Sequence, residues 1–220
     1  MNVLSRLRSL DICDLSDAID ALGLPPAHTR LLAVSAPQPI AGVAITVKLV
    51  AGLAPATSKP RHLCTAAIEM AGPDHIIFVE QATGVDAAGW GGLLARAAQV
   101  RGVAGTVIDG PARDIEECNR VGYTVYARST TCRTARNRVY EAECQTPVAL
   151  GDLSVAPGDY IAIDASGCVV IPAARIGDVL LKAEEIRNRT EAMARAIYQH
   201  ARVSDVMGGK YENMLARAGD

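Results

Sequence analysis

The chain has 220 residues, enough for one domain, and only 4% of them are aromatic, so Ala, Val, Leu and Ile must form the core. The 22 Lys and Arg nearly balance the 24 Asp and Glu, which argues against a nucleic-acid partner. No apolar run reaches the roughly 18 residues of a membrane span, and the N-terminus lacks a signal-peptide core, so we expect a cytoplasmic protein without membrane partners.

Helices and strands alternate through the first half of the chain. Hydrophobic periodicity and glycine or proline breaks define these elements, with Gly23 ending the first helix and Gly122 ending the fourth. The predicted elements are a helix at 11–23, a strand at 40–50, a helix at 61–71, a strand at 75–80, a helix at 92–101, a strand at 104–108, a helix at 115–121 and a strand at 123–127.

The second half changes to short strands and one long helix. Strands are predicted at 147–155, 160–164 and 168–171, and a helix at 173–202, whose apolar positions follow the 3.6-residue period. We expect an α/β fold with one domain over 1–204 and a loosely attached tail over 205–220.

Cysteine and histidine form no metal-binding motif. The six cysteines are scattered without a CxxC pair, and the four histidines are isolated in sequence. We therefore expect reduced thiols that mostly pack in the interior, and oxygen ligands for any metal ion.

Two glycine-containing segments carry the chemistry. A buried strand ends in Asp109-Gly-Pro, a predicted turn that delivers Arg113 beside Asp114. Upstream, Trp90-Gly-Gly-Leu-Leu opens a helix, whose first N–H groups are unpaired and suit an anion. If both segments meet, they form a site for a small carboxylate substrate and a divalent cation.

Simpler interpretations remain open for each of these residues. Asp114 is also suited to cap the helix that follows it, with Arg113 solvated, and the glycine pair is compatible with a plain helix start. Trp90 fits the core or an interface as well as a substrate wall. A group of arginines in one predicted loop is compatible with a solvated or subunit-interface surface or with an anionic ligand; these are Arg128, Arg133, Arg136 and Arg138.

Several motifs in order resemble the RraA-like family, which includes the 4-hydroxy-4-methyl-2-oxoglutarate/4-carboxy-4-hydroxy-2-oxoadipate aldolases. The similarity covers most of the chain. The matching segments are Asp14-Leu-Ser-Asp-Ala-Ile-Asp-Ala-Leu-Gly, Ile40-Ala-Gly-Val-Ala-Ile-Thr-Val, Trp90-Gly-Gly-Leu-Leu-Ala, Val103-Ala-Gly-Thr-Val-Ile-Asp-Gly-Pro-Ala-Arg-Asp, Val155-Ala-Pro-Gly-Asp and Asp164-Ala-Ser-Gly-Cys-Val-Val-Ile-Pro.

The resemblance implies a fold, an assembly and a set of roles. The fold is a swivelling-type β/β/α core with a long C-terminal helix, assembled as a homotrimer or a hexamer of two trimers with the active site at the subunit boundary. Asp114 is then the ligand of Mg²⁺ or Mn²⁺, and Glu191 of a neighbouring subunit also contributes. The substrate-binding residues are Gly91, Gly92, Leu93, Leu94 and Arg113, with the N–H groups of Leu93 and Leu94 and the Arg113 guanidinium on the substrate carboxylate.

Position 92 departs from the aldolase signature, which is an acidic residue, twenty intervening positions and Arg-Asp. Gly92 stands at the acidic position, while Arg113 and Asp114 match the rest.

The resemblance implies a metal-dependent retro-aldol lyase that releases pyruvate, with oxaloacetate decarboxylation as a side reaction. An enzyme on another small 2-oxo or hydroxy acid and a non-catalytic regulatory protein are the alternatives. In the absence of an acid at position 92, Asp109 or Glu191 would have to orient the catalytic water. Restoring an acid by Gly92→Asp should then raise turnover.

Overall fold

The computed structural model describes residues 2–55 and 61–208, which form one mixed α/β domain. None of the helices in these two ranges is both long and apolar enough to cross a membrane. The helices are α1 (Val3–Leu7), α2 (Ile12–Ala21), α3 (Thr65–Met70), α4 (Gly92–Val100), α5 (Ile115–Arg120), α6 (Ile176–Tyr198) and α7 (Val203–Val206). The strands are β1 (Leu32–Ser35), β2 (Ile40–Ala51), β3 (His75–Glu80), β4 (Gly105–Ala112), β5 (Val125–Thr130), β6 (Val139–Cys144), β7 (Val148–Leu150), β8 (Leu153–Val155), β9 (Tyr160–Ile163) and β10 (Cys168–Ile171).

Eight strands form one curled sheet in the order β1-β5-β4-β3-β2-β9-β10, with β6 also paired to β2. Strands β2, β3, β4 and β5 run parallel, whereas β1, β6, β9 and β10 join antiparallel. The parallel centre explains why β3 and β4 are buried almost throughout, since both of their faces are covered. Strands β7 and β8 form a separate two-stranded hairpin.

Three hydrophobic clusters hold these layers together. The first joins α3, α4 and α5 to one face of the central strands through residues such as Ile68, Leu94 and Cys118. In the second, α1, α2 and α6 pack over β9 and β10. The third lies under the β7–β8 hairpin, where Leu150 and Val155 join Phe78 and other strand residues. Through the first cluster, helices α4 and α5 lie side by side on one face of the parallel strands.

The C-terminal helix is shorter than predicted. Residues Ala173–Arg175 form a 3₁₀ turn, α6 ends at Tyr198, and its buried stripe is Val179, Leu180, Ala183 and Ile186. Within the predicted tail at 205–220, residues 209–220 lie outside the described residues. The short helix α7 spans the predicted domain boundary at 204.

Some short elements were missed or misassigned by the sequence patterns. Helix α1 and the strands β1 and β6 were not predicted, and the strand expected at 147–155 is the β7–β8 hairpin. The turn expected at Asp109-Gly-Pro is wrong: β4 continues through it to Ala112 with a bulge between Ile108 and Pro111. Proline has no N–H to donate, so the ladder is interrupted there while the chain stays extended.

The six cysteines are free, as expected, but only half of them are buried. Cys64, Cys118 and Cys168 lie in the core, where burial raises the pKa of each thiol. The others are intermediate or exposed, so the expectation of a mostly interior set is wrong for Cys13 and Cys132.

Candidate functional site

The segment before α4 is attached to the end of β4. Gly89 donates its N–H to the Pro111 carbonyl, and Arg113 donates to the Trp90 carbonyl, both at 3.0 Å. Trp90 and Ala112 thus form a parallel bridge, which brings the start of α4 beside Arg113 and Asp114. The two segments that the sequence singled out therefore meet at the carboxyl edge of the parallel strands.

Trp90 is a core residue. It is 1% exposed, and its ring stacks on that of Tyr123 with centroids 6.0 Å apart. The interpretation as a substrate wall is therefore wrong. Its packing against Tyr123 instead fixes the backbone that leads into α4.

Gly91 and Gly92 lie in close contact with the side chains that follow β4. A Cβ on Gly91 would lie 3.0 Å from Asp114 Oδ2 and 3.2 Å from Arg113 Cγ. On Gly92 it would lie 2.5 Å from Glu117 Cγ and 3.1 Å from Asp114 Cβ. A side chain at either position therefore requires Asp114, Arg113 or Glu117 to shift from its observed place.

The Asp114 carboxylate belongs to the start of α4. Its Oδ2 accepts a hydrogen bond from Gly92 N at 3.2 Å and lies 3.4 Å from Arg113 Nε. Asp114 also occupies the N-cap position of α5, in the left-handed region at φ 55°, but its side chain makes no capping bond to that helix. The simple capping interpretation is therefore wrong for α5, because the carboxylate satisfies a donor of α4 instead.

A small cavity of about 120 Å³ lies on one side of this corner. The N–H groups of Leu93 and Leu94 have no hydrogen-bond partner among the residues that the structure describes, as expected for a first helical turn. Arg113 is 37% exposed and Asp114 47% exposed at its mouth. The cavity is lined by His62, Leu63, Ala88, Gly89, Gly91, Leu93, Leu94, Arg113, Asp114, Thr134 and Ala135.

His62 was not predicted as a site residue. It has no sequence neighbour of matching chemistry, and only the fold brings it to the same cavity as Arg113 and Asp114. Its Nδ1 lies 3.0 Å from the Leu63 carbonyl. No local signal in the sequence could have found it, because its loop reaches the site through tertiary packing alone.

A second cavity of about 430 Å³ opens on the other side of Asp114. It is lined by Gly92, Leu93, Arg96, Asp114, Glu116, Glu117 and Arg120. Glu117 forms ion pairs with Arg96 and with Arg120, the latter at 2.6 Å. The hydrogen bond from Arg96 lowers the pKa of Glu117, so this carboxylate is ionised at neutral pH.

The donors around Asp114 fit a hydrated divalent cation. Asp114 Oδ1 makes no hydrogen bond to any described residue, and nearly half of the side chain faces solvent. Within residues 2–55 and 61–208, no group of three or more His, Cys, Asp or Glu could enclose a metal ion. Mg²⁺ commonly binds through one or two carboxylates and keeps several waters, which matches this sparse donor set.

Glu191 is not brought to the site within one chain. It lies on α6, where it pairs with Arg187 at 3.9 Å and Arg195 at 3.8 Å. Its charge is felt by Asp14 of α2, whose pKa is raised mainly by burial and also by neighbouring carboxylates. Its predicted contribution from a neighbouring subunit remains a prediction.

Asp109 lies in the interior of the fold, and Arg128 lies on β5 with 33% of its side chain exposed. Asp109 is fully buried and forms an ion pair with Arg128. The proposed role of Asp109 in orienting a water is therefore wrong, as is the placement of Arg128 in a solvated loop. Of the other arginines, Arg133 pairs with Asp86 at 3.4 Å and Arg138 donates to the Thr134 carbonyl at 3.2 Å.

Another cavity lies at the opposite edge of the sheet. It measures about 450 Å³ and is bordered by Leu7–Ile12 and by the residues that lead into β2 and β4, including Ile40 and Ala104. Ligands of open α/β sheets bind at the carboxyl ends of the parallel strands, and this cavity lies at their amino ends. The smaller cavities at Asp114 are therefore the better candidate.

Known proteins share this fold and, in part, this sequence. Residues 12–170 match the RraA-like family model, described as Aldolase/RraA. A Halalkalibacterium halodurans protein named "Putative 4-hydroxy-4-methyl-2-oxoglutarate aldolase" is 28% identical over 197 residues, 90% of this chain and 89% of that protein. Protein DlpA of Legionella pneumophila is 30% identical over 198 residues, 89% of this chain, but the match spans only 32% of that longer protein.

A solved structure shares the fold of this chain. An uncharacterized protein from Pseudomonas syringae pv. tomato superposes with a TM-score of 0.82 at 27% identity, covering 94% of this chain and 96% of that one. The family model spans the sheet, α4, α5 and the Arg113–Asp114 corner. The chain is a member of the RraA-like family of aldolases and RraA proteins.

Proposed function

We propose that this protein is a divalent-metal-dependent lyase that cleaves a 4-hydroxy-2-oxoacid to pyruvate and a carbonyl product. The observation that carries the proposal is the corner itself: the Asp114 carboxylate, the Arg113 guanidinium and two unpaired N–H groups of α4 meet around one cavity. The similarity to proteins named as 4-hydroxy-4-methyl-2-oxoglutarate aldolases supports the same reaction class.

Arg113 and the start of α4 bind the carboxylate of the substrate. The N–H groups of Leu93 and Leu94 point out of a helix N-terminus, where the backbone dipole favours an anion. The guanidinium of Arg113, which lines the same cavity, adds a charge-assisted donor. The cavity of about 120 Å³ fits a two- or three-carbon acid unit, so the remainder of the substrate extends outward past Leu93.

Asp114 holds the cation while bonded to Gly92 N. When bound there, Mg²⁺ or Mn²⁺ would supply Lewis-acid stabilisation for the negative charge that develops on the 2-oxoacid unit. Oδ2 accepts from Gly92 N at 3.2 Å, so Oδ1 is the oxygen that would hold the ion. The same charge develops when oxaloacetate loses carbon dioxide, so we expect oxaloacetate decarboxylation as a side activity.

A Schiff-base route is disfavoured by the side chains present. No lysine lines either cavity beside Asp114 in the described part of the chain. Amine catalysis requires a lysine within reach of the substrate carbonyl. Proton transfer at the 4-hydroxyl therefore falls to a water positioned by the carboxylates of this edge.

The neighbouring subunit completes the site in this proposal. Glu191 is half-exposed on α6 and bonded only within its own helix, so it is available to an adjacent copy. A homotrimer, or a hexamer of two trimers, would place it at the cavity mouth. Light scattering on the purified protein measures the assembly, and a monomeric protein with full activity would contradict this role for Glu191.

The proposed reaction is tested by pyruvate release from a panel of 4-hydroxy-2-oxoacids and oxaloacetate. Each substrate is assayed with Mg²⁺ or Mn²⁺ and again with EDTA, and Arg113→Lys serves as a variant that keeps charge but loses the planar guanidinium. Metal-dependent release by the wild type, lowered in Arg113→Lys, supports the lyase. Silence across the panel from a folded protein contradicts it and favours another small acid or a non-catalytic binding function.

A further inference from the structure

Glu117 of α5 covers the α-carbon of Gly92 at the start of α4. A Cβ on Gly92 would lie 2.5 Å from Glu117 Cγ and 2.9 Å from Glu117 Cβ. Both separations are far inside ordinary carbon–carbon contact, which is about 3.5–4.0 Å. An acidic side chain at position 92 and Glu117 in its observed position therefore exclude one another.

Two arginines fix the Glu117 carboxylate. Arg96, one helical turn after Gly92, donates its Nε to Oε1, and Arg120 donates Nη1 to Oε2 at 2.6 Å. The carboxylate is thereby held at the wall of the 430 Å³ cavity that Asp114 also lines. Because Glu117 stays ionised, it can only accept hydrogen bonds, which makes it suited to orienting water and not to donating a proton.

Acids and arginines both line the cavity beside Asp114 and Glu117. Three carboxylates line it, from Asp114, Glu116 and Glu117, against the two guanidinium groups of Arg96 and Arg120. Arg113, whose Nε lies 3.4 Å from Asp114 Oδ2, adds a third guanidinium, so acids and arginines balance in number and lower the repulsion among the acids. A hydrated divalent ion at Asp114 would still meet the ionised Glu117 carboxylate on this side.

We infer that Glu117 is a positioning residue of the Asp114 site, where it takes the place of the acid missing at position 92. Held by Arg96 and Arg120, it supplies a fixed negative charge from α5 and orients water around the cation. This inference rests on the proposed function, and it explains how a chain with glycine at position 92 can still be a lyase. It also reverses the expectation for Gly92→Asp, which alone collides with Glu117 and lowers turnover.

Removal of the charge alone is the first test. Glu117→Gln keeps the shape of the side chain, and groups that orient the surroundings of a metal ion typically contribute about 10- to 100-fold to metal affinity or activity. We expect losses of that size in kcat for pyruvate release and in Mn²⁺ affinity, measured by electron paramagnetic resonance of free Mn²⁺. A role limited to joining α4 to α5 would lower Tm and leave Mn²⁺ affinity unchanged.

Rescue by a relocated acid is the sharper test. In the Glu117→Ala background, Gly92→Asp should recover at least tenfold of the lost Mn²⁺ affinity and kcat, whereas the uncharged match Gly92→Asn should not. Alanine retains the Cβ that lies 2.9 Å from a side chain at 92. The Glu117→Gly background removes that contact too and serves if the alanine double variant does not fold.

The Mn²⁺ readout separates this inference from the proposed function. If the wild type releases no pyruvate but the Mn²⁺ affinities follow the expected order, the lyase fails and the role of Glu117 stands. Equal Mn²⁺ affinity of wild type and Glu117→Gln overturns the inference. Rescue by Gly92→Asn as complete as by Gly92→Asp, or no Mn²⁺ binding by the wild type, overturns it as well.

Discussion

Two aspartates close together in sequence, one in β4 and one just after it, differ in their exposure to solvent. Asp109, within β4, is fully buried and neutralised by Arg128. Asp114, five residues later, is 47% exposed and shares the start of α4 with Arg113. One Arg–Asp pair is thus enclosed by the sheet, whereas the other, at the carboxyl edge, remains open to solvent beside unpaired N–H groups.

The largest effect is expected from Asp114→Asn. Asparagine tolerates the left-handed backbone and still accepts from Gly92 N, so Tm should change little, while the charge that holds the cation is lost. Removal of one fixed electrostatic group from a catalytic site costs roughly 100- to 1,000-fold in rate. Steady-state kinetics with Mg²⁺, beside a thermal melt, measure both quantities, and a large fall in Tm would show that Asp114 is structural after all.

Asp109→Ala should give the reverse pattern. It leaves Arg128 without its partner, and breaking a buried ion pair costs about 3–5 kcal/mol, with the lower end expected here because Arg128 is a third exposed. A loss of about 3 kcal/mol corresponds to roughly 6–12 °C in Tm for a domain of this size. Calorimetry measures this loss of stability, and the Mn²⁺ affinity of the folded variant should be unchanged. If Asp109→Ala keeps full stability but binds Mn²⁺ more weakly, Asp109 belongs to the metal site and the contrast with Asp114 is wrong.

The backbone donors of α4 can be tested by proline. Leu93→Pro removes one N–H within the first helical turn, where proline is tolerated, and Leu93→Ala is the matched control that retains it. A hydrogen bond to a charged group contributes about 1.5–3 kcal/mol, so KM for the substrate should rise roughly 10- to 100-fold in the proline variant only. Equal KM values in both variants would show that the Leu93 N–H does not bind the substrate carboxylate.

The smallest effect is the pH dependence of the ion pairs of Glu117. The hydrogen bond from Arg96 lowers the pKa of Glu117 in the folded protein, so its contribution to stability is present above the unfolded pKa and is lost as pH falls through the folded value. The Tm difference between wild type and Glu117→Gln should therefore shrink between about pH 5 and pH 3. A difference that persists unchanged to the lowest pH would assign it to packing and not to charge.

The sequence predicted the regular elements better than the contacts between them. The central helices and strands follow clear hydrophobic periods, and the site segments at 90–94 and 113–114 were identified by their glycine and Arg-Asp patterns. The partner of the Asp114 carboxylate, the burial of Asp109 and the place of His62 could not be predicted. Each depends on how α4, α5 and the sheet pack, which no local pattern encodes.

Glu117 illustrates the same limit. In sequence it is one acid in the run Glu116-Glu117, which is typical of the first turn of a helix. Only the packed structure shows that its side chain fills the space over Gly92. A missing side chain in one helix is therefore interpretable only together with its spatial neighbour in the next.

The most direct test of the account is the initial rate of pyruvate formation by wild type and Asp114→Asn, each with Mg²⁺ and with EDTA. The account predicts release by the wild type that EDTA abolishes, and a rate for Asp114→Asn lower by at least 100-fold with Mg²⁺ present and Tm preserved. Pyruvate formation that is insensitive to EDTA, or unchanged in Asp114→Asn, would contradict it.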